Sequence, residues 1–510
     1  MWTYLTRRWF PLCLALIVGF SFQGSRGLFE STEGRYAECA REMMATGQWL
    51  VPQLDYRPHW SKPPLTYWAI VAGMELLGQN AWGVRLFDAV AFFFIVLATI
   101  ELGAALWDRA TGNLAGVVAA TSPFLAIAAS SVSTDTLLTL WMVLTVLAYW
   151  KAVRAREDRD KRKWIIALWL FAGLGFFTKG PPALLPLLAV VVFHCWRKRA
   201  VASSVRIADP PCRLADTVGL ALFAVTAFWW YLYAGLTHAG TMEYFLRDEV
   251  AGRVLSTSFK RNPEWYKPVT IYLPPLAAGV GLWLFYWPRA FRAYRPLLRW
   301  GNLKPALTQN DILLFLFLWL CIPLLVFSIS RSRLQLYVAP LFPVIVLATA
   351  RAMIRVLTET QLRKGTVAIA VVSAVLIVAG KGAAAYWPTR KDMRRLYEAI
   401  APYDGPGTRL LLFKEQRLYG LQFYAGSALE SCDVSSGALV LKRETGSAIM
   451  GENELLGPDP MVFIAGNHDA PTLARILDGA GVLYVSGSAP PGYVFFALEK
   501  DTRRPRAVRP

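Results

Sequence analysis

Ten ionisable residues of this chain stand beside or between long apolar runs: Glu30, Glu33, Arg35, Lys62, Asp135, Lys179, Glu249, Arg253, Arg331 and Arg333. Charge in hydrocarbon costs about 2.5–3.5 kcal/mol even on the lenient insertion scale, so such positions point to function. Lys179 stands alone in a short break between two apolar runs. Arg331, Ser332 and Arg333 fill another such break, and Tyr337 follows. Isolated cations of this kind suit a lipid phosphate or pyrophosphate, which needs point charges and arginine forks. A single Lys or Arg at the end of a span often only snorkels to the surface. Cations gathered together on one side of the membrane call for an anion. Carboxylates beside them suit general-base work.

Other chemistry lacks residues to carry it. There is no G-x-x-x-x-G-K and no G-x-S-x-G, so ATP-driven transport and serine hydrolysis have no support. His59, His194, His238 and His468 show no metal spacing, nor do the six cysteines. Cys39 and Cys432 both fall on the outer side, which leaves a disulfide open. Asp158-Arg159-Asp160 matches the D-x-D of nucleotide-sugar enzymes, but it lies in a basic loop and reads as a solvated linker. Neither a metal nor an organic cofactor is expected.

The elements that must position these residues follow from composition. Hydrophobic residues make up 55% of the 510 and charged residues 17%, with a mean hydropathy of +0.37. Soluble domains average about 25% charged, so the chain reads as a membrane protein. Eleven apolar runs approach the length of about 20 residues that crosses a bilayer. They are 9–29, 82–107, 114–130, 134–150, 164–178, 181–196, 215–236, 269–287, 311–329, 334–350 and 365–387. The net charge of +19 would suggest nucleic acid in a soluble protein. Here it sorts by loop instead. With the N-terminus inside, the inner segments hold 24 Lys and Arg in 83 positions and the outer ones 13 in 87. That asymmetry favours an inside N-terminus, an outside C-terminus and no nucleic-acid partner.

Residues 1–390 form the membrane part. Residues 391–510 carry balanced charge and short β-like runs, 409–413, 438–441, 461–465, 481–485 and 493–498, with a helical stretch near 471–477. They read as a soluble α/β domain outside the membrane. The first outer loop contains two helical patterns. Tyr36, Ala37, Ala40, Met43 and Met44 recur at three and four, with Glu38, Arg41 and Glu42 opposite, which predicts an amphipathic helix over 33–46. A second, aromatic one covers 63–78 at the membrane interface.

The run Phe29–Met43, then Gly47–Pro52 (G-Q-W-L-V-P) and Lys62–Leu65 (K-P-P-L), resembles the first outer loop of a known group. These are the aminoarabinose transferases and protein O-mannosyltransferases, membrane glycosyltransferases of the GT-C fold that use polyprenyl-phosphate sugars. The similarity continues through Ser133-Thr134-Asp135, Thr178-Lys179-Gly180, Tyr244–Arg253 and Arg331–Tyr337, covering roughly residues 5–390. It implies donor-phosphate roles for Arg35, Tyr36, Lys62, Lys179, Arg253 and Tyr337, with the Arg331/Arg333 pair beside them, and an outer-face role for Asp135. Two departures matter. The aspartate generally taken as the group's base is Thr32 here, so Glu33, Glu30 or, failing both, Asp135 must take the proton, with Glu33 favoured. The glutamate and histidine thought to hold a metal in the aminoarabinose branch are Ser61 and Val250, which argues against a metal here.

The resemblance implies transfer of a sugar from a polyprenyl-phosphate donor to a lipid, glycan or protein acceptor. It implies inverting displacement at the outer face of the cytoplasmic (inner) membrane, in chemistry such as lipid A modification of the cell envelope. The alternative is a transporter or flippase of a polyprenyl-linked lipid, which should show broken midplane helices in repeated halves.

Overall fold

The structure, a computed structural model, describes residues 7–30, 32–202, 212–252, 262–298, 300–435, 438–443, 446–450, 452–489 and 492–498. Arg253 lies outside these residues.

Among the described residues, six helices are long and apolar enough to cross a membrane by length and composition: Ala81–Leu106, Thr134–Arg154, Thr217–Thr237, Asp311–Ile329, Gln335–Val356 and Glu359–Tyr386. The pair Lys267–Ala278 and Gly281–Tyr294, bent by 84°, makes a seventh if taken as one span. The remaining apolar runs lie in Asp158–Lys179 and Leu185–Ala202, which are long enough but less apolar, and in shorter helices. Run 9–29 is helical as Trp9–Phe20. Run 114–130 breaks between Arg109–Ala120 and Pro123–Ala128, where Pro123 begins a new first turn. Two prolines turn the start of run 181–196 into the 3₁₀ segment Pro181–Leu184.

Local sequence sets the helix starts. Asn80 accepts the N–H groups of Trp82 and Gly83 at 2.8 and 3.1 Å, and Ser133 accepts that of Asp135 at 3.2 Å. Thr358 and Gln361 close a capping box on Glu359–Tyr386. A Cβ at Gly103 would lie 2.7 Å from the Gly112 Cα, so two glycines let neighbouring helices touch.

The helix expected over 33–46 is Thr32–Thr46, and that over 63–78 is Leu65–Leu77. The polar side of the first is not left to water: Glu38, Arg41 and Glu42 are all buried. Glu38 is paired with Arg41 at 2.6 Å. Glu42 accepts the N–H groups of Asp55 and Tyr56 at 3.0 and 2.7 Å. Both residues sit at φ +58°, at the tip of the hairpin made by β1 (Gln53–Leu54) and β2 (Arg57–Pro58). Without glycine at that left-handed turn, the carboxylate helps to hold it.

Beyond residue 400 a seven-stranded sheet is ordered β6-β5-β4-β3-β7-β9-β8. Its strands are β3 (Arg409–Phe413), β4 (Glu430–Ser435), β5 (Ala438–Arg443), β6 (Gly446–Ile449), β7 (Met461–Gly466), β8 (Tyr484–Ala489) and β9 (Tyr493–Leu498). β3 is parallel to β4 and β7, and the other pairs are antiparallel. Leu473 and Leu477 of helix Ala470–Gly479 pack in one apolar cluster with the sheet. Leu396 and Leu421, from helices Met393–Ile400 and Tyr419–Ala425, pack in another. The run expected at 481–485 lies three residues later, and β4 and β6 were not foreseen. Cys39, Cys212 and Cys432 are buried, Cys13 and Cys195 are exposed, and none of the six forms a disulfide.

This sheet region clasps the first outer loop. Gly27 N–H donates to Asp392 and Leu28 N–H to the Tyr424 hydroxyl. Arg394 donates to the Gly24 and Ser25 carbonyls at 3.0 and 2.5 Å. Gly34 and Gly420 meet so closely that a Cβ on Gly34 would lie 2.3 Å from the Gly420 nitrogen.

Candidate active site

Helices Thr134–Arg154 and Asp158–Lys179 are antiparallel neighbours joined by a short turn, so the start of one meets the end of the other. Asp135 is in the first turn of the former, where the helix dipole favours an anion. Lys179 ends the latter, which Gly180 terminates at φ +78°. The two side chains pair at 2.5 Å, both nearly buried. Lys179 also stands 4.4 Å above the Tyr337 ring.

Lys62 arrives from the other side. It follows the β1–β2 hairpin, and Pro63-Pro64 then start helix Leu65–Leu77. Its ammonium pairs with Glu249 at 3.0 Å and donates to the Ser61 carbonyl. Glu249 also accepts the Tyr244 hydroxyl at 3.2 Å. The Ser61 hydroxyl bonds the His59 ring at 2.7 Å. Burial pushes His59 down to about 4, and the charges of Arg35 and Lys62 push the same way, so the imidazole is neutral at pH 7.

Two stacked tyrosines join these halves. The Tyr36 and Tyr67 rings are 5.5 Å apart. Tyr36 lies beside Thr134, next to Asp135, and Tyr67 beside Ser61, next to Lys62. Arg35, half-buried and 6.0 Å from the Tyr36 ring, acts electrostatically on Glu30, Tyr36, His59 and Tyr67. Among the described residues no carboxylate is ion-paired with it. One continuous layer therefore holds Lys62, Arg35 and Lys179, three tyrosines and the carboxylates Asp135 and Glu249. Such a layer can hold a phosphate and stabilise charge growing on it.

The arginines after residue 330 behave differently. Arg333 is buried and donates to three backbone carbonyls, of Asn262, Glu264 and Ser328, at 2.9–3.0 Å. It ties a loop to a helix end, where phosphate binding was expected of it. Arg331 is exposed to solvent.

Glu33 and Glu30 diverge. Glu33 accepts two bonds from Arg26, two from Arg85 and the N–H groups of Phe29 and Val132. Burial alone would raise it, but the charges of Arg85 and Arg26 outweigh that and hold it at about 2. A carboxylate so acidic and so fully bonded is a poor base. Glu30 accepts the Gly420 N–H at 2.7 Å, and burial lifts it to about 7 against the opposing pull of its hydrogen bonds and Arg35. The preference for Glu33 as base therefore conflicts with this geometry. Adjacent residues on a helix point about 100° apart, so the carboxylate next to Thr32 faces elsewhere.

Sequence reading did not find the His59–Ser61 contact, the Tyr67 stack or the Glu33–Arg85 pair. No spacing pattern announces them, since each joins distant elements or a tight turn. Among the described residues no group of three or more His, Cys, Asp and Glu is placed to hold a metal. Asp158 and Asp160 pair with Lys161 and Lys163 on an exposed helix start, as befits a linker.

Residues 61–230 match the family model described as dolichyl-phosphate-mannose-protein mannosyltransferase. The chain is 29% identical over 327 residues to the undecaprenyl phosphate-alpha-4-amino-4-deoxy-L-arabinose arabinosyl transferase of Erwinia tasmaniensis, covering 62% of this chain and 54% of the relative. It is 28% identical over 355 residues to the protein of the same name from Pseudomonas aeruginosa, covering 67% and 60%. The chain thus spans just over half the length of the curated relatives it matches. Its fold matches the crystal structure of ArnT from Cupriavidus metallidurans bound to undecaprenyl phosphate, with a TM-score of 0.73 at 19% identity, over 97% of this chain and 98% of that one. The apo form gives 0.72 at 18% identity, with the same coverage.

Proposed function

We propose that this chain, a multi-pass membrane protein with the GT-C fold, transfers a sugar from a polyprenyl-phosphate donor to an acceptor. The observation that carries the reading is the layer of Lys62, Arg35 and Lys179 bridged by Tyr36 and Tyr67. The acceptor is a membrane lipid or glycan, and the reaction takes place at the periplasmic face of the inner membrane. In it the acceptor's hydroxyl or amine attacks the anomeric carbon, and the bond from that carbon to the phosphate oxygen breaks with inversion. The acceptor's proton passes to a carboxylate, and the polyprenyl phosphate leaves with the electron pair.

Glu30 is the base in this account, because its basicity near 7 matches the task. Asp135 holds Lys179 in place, and Glu249 holds Lys62. Lys62, Lys179 and Arg35 receive the growing phosphate charge. Tyr36 and Tyr337 line the same layer. Arg253 keeps the role that its resemblance implies. Ser61 offers no carboxylate for a metal and bonds His59 instead.

The relatives' names supply the first donor to try, the undecaprenyl-phosphate ester of 4-amino-4-deoxy-L-arabinose. Purified protein incubated with that donor and an envelope lipid extract should release undecaprenyl phosphate and label a lipid. Movement of intact donor across a vesicle without release would favour the flippase reading instead. The orientation is tested separately. A reporter that is active only in the periplasm, fused after Asp501, should be active.

A further inference from the structure

Between Glu264 and Asp311 the sequence contains no acidic residue, while Arg289, Arg292, Arg295, Arg299 and Lys304 fall within sixteen positions. The structure gives the first three a specific setting. After the 84° bend the chain runs through Gly281–Tyr286 into the helix Trp287–Tyr294. The bend is held by the bundle: the Gly279 carbonyl accepts the Ser122 hydroxyl at 2.7 Å and the Phe124 N–H at 3.2 Å. Gly281 adopts φ +64° with the Pro123 ring beneath it, so a side chain there would be both strained and crowded.

The helix Trp287–Tyr294 has no buried residue. Eight residues do not hold a helix in water by themselves, and only Trp287 of this helix packs against the apolar core. Successive residues turn by 100°, which sets Arg289, Arg292 and Arg295 on one arc of about 120° and Trp287, Phe291 and Tyr294 on another. All three arginines are exposed, and Phe291 and Phe285 are 59% and 73% exposed. Among the described residues no carboxylate pairs with any of the three. Trp283 donates to the Thr121 hydroxyl at 3.0 Å and Trp287 to that of Thr349 at 3.3 Å, which anchors the segment to the bundle. This is the end that carries the Arg351–Asp108 pair, away from Lys62 and Lys179.

Exposed Phe285 and Phe291 beside an unpaired basic arc, at the end of a membrane bundle, fit the interface of a bilayer with anionic headgroups. We propose that Arg289, Arg292 and Arg295 bind the phosphates of anionic phospholipids in the leaflet opposite the candidate active site, with Phe285 and Phe291 set into that leaflet. The binding does not depend on the transfer reaction.

The test uses full-length protein in neutral detergent, titrated with phosphatidylglycerol or phosphatidylcholine, with bound lipids counted by native mass spectrometry. The wild type should retain phosphatidylglycerol by roughly tenfold over phosphatidylcholine, since each basic residue near the surface adds to the attraction. That preference should weaken in high salt. R289Q/R292Q/R295Q should bring it close to parity, and R289K/R292K/R295K should keep most of it. No preference in the wild type, or full preference in the glutamine variant, would overturn the proposal. R292Q alone, a milder change, should give an intermediate loss, and an unchanged preference there also counts against it.

Discussion

Glu33 and Arg85 join the first outer loop to the membrane bundle through a buried, two-point ion pair. Arg85 Nε reaches Oε1 at 3.2 Å and Nη2 reaches Oε2 at 2.8 Å, with Arg85 only 1% exposed. The remaining Arg85 protons go to the carbonyls of Gln23, Arg26 and Gly27. Arg26 adds a second fork to the same carboxylate. A base must be free to take a proton, and this one is occupied on every side.

Glu33→Gln should therefore act on folding first. It leaves two arginines partly or wholly buried without their counter-charge, a loss of about 3–5 kcal/mol. Thermal unfolding in detergent should show a clearly lower midpoint, while protein that remains folded keeps its turnover within tenfold of wild type. A hundredfold loss of turnover in stably folded Glu33→Gln would restore it as the base.

The same pair sets an acid limit. Glu33 is depressed from 4.5 to about 2, so its contribution is complete above pH 4.5 and is lost as pH falls towards 2. That linkage is worth on the order of 3 kcal/mol. Stability measured between pH 6 and 3 should fall more steeply in the wild type than in Glu33→Gln.

Glu30 has the opposite sign. Raised to about 7, it favours the folded state when protonated, so its contribution is full below pH 4.5 and is lost as pH rises through 7. Transfer needs the ionised form, so turnover should climb as pH rises through about 7. Glu30→Gln should abolish that limb, lower turnover by about 10²–10⁴-fold and flatten the loss of stability at high pH. An unchanged pH–rate profile in the variant moves the base to Asp135, for which Asp135→Asn is the next measurement.

Much of this architecture was legible in the residues. The apolar runs marked where the helices lie, because burial in lipid leaves a long, uninterrupted signature. The strands Arg409–Phe413 and Tyr493–Leu498 were read to the residue from their apolar content. The helix at Thr32 was visible in its three-and-four spacing, but the burial of its polar side was not. Glu38, Arg41 and Glu42 look like a wetted face until the hairpin at Asp55 covers them, and that contact joins segments by tertiary packing alone. Arg333 shows a related limit, since in sequence a cation between two spans looks the same whether it meets a phosphate or, as here, three carbonyls.

Strong chelation should leave transfer intact. Ser61 and Val250 stand where the resemblance puts metal ligands in the aminoarabinose branch, and Ser61 is bonded to His59. Stoichiometric zinc by elemental analysis, together with activity lost in chelator and restored by zinc, would show that other residues supply a site.

Gly34 tests the clasp between the outer loop and the sheet region. A methyl there meets the Gly420 nitrogen at 2.3 Å, and backbone has little room to yield. Gly34→Ala should destabilise the protein by about 1–3 kcal/mol. Limited proteolysis should then release the region after Pro388 sooner than in the wild type.

The central claim is that Lys62, Arg35 and Lys179 form a site for a polyprenyl phosphate. Binding of undecaprenyl phosphate to the detergent-purified protein tests it without knowledge of the sugar or the acceptor. The account predicts saturable binding to the wild type, weakened at least tenfold in Lys62→Ala and in Lys179→Ala, measured below the unfolding transition of each variant. Affinity unchanged in both folded variants would contradict it.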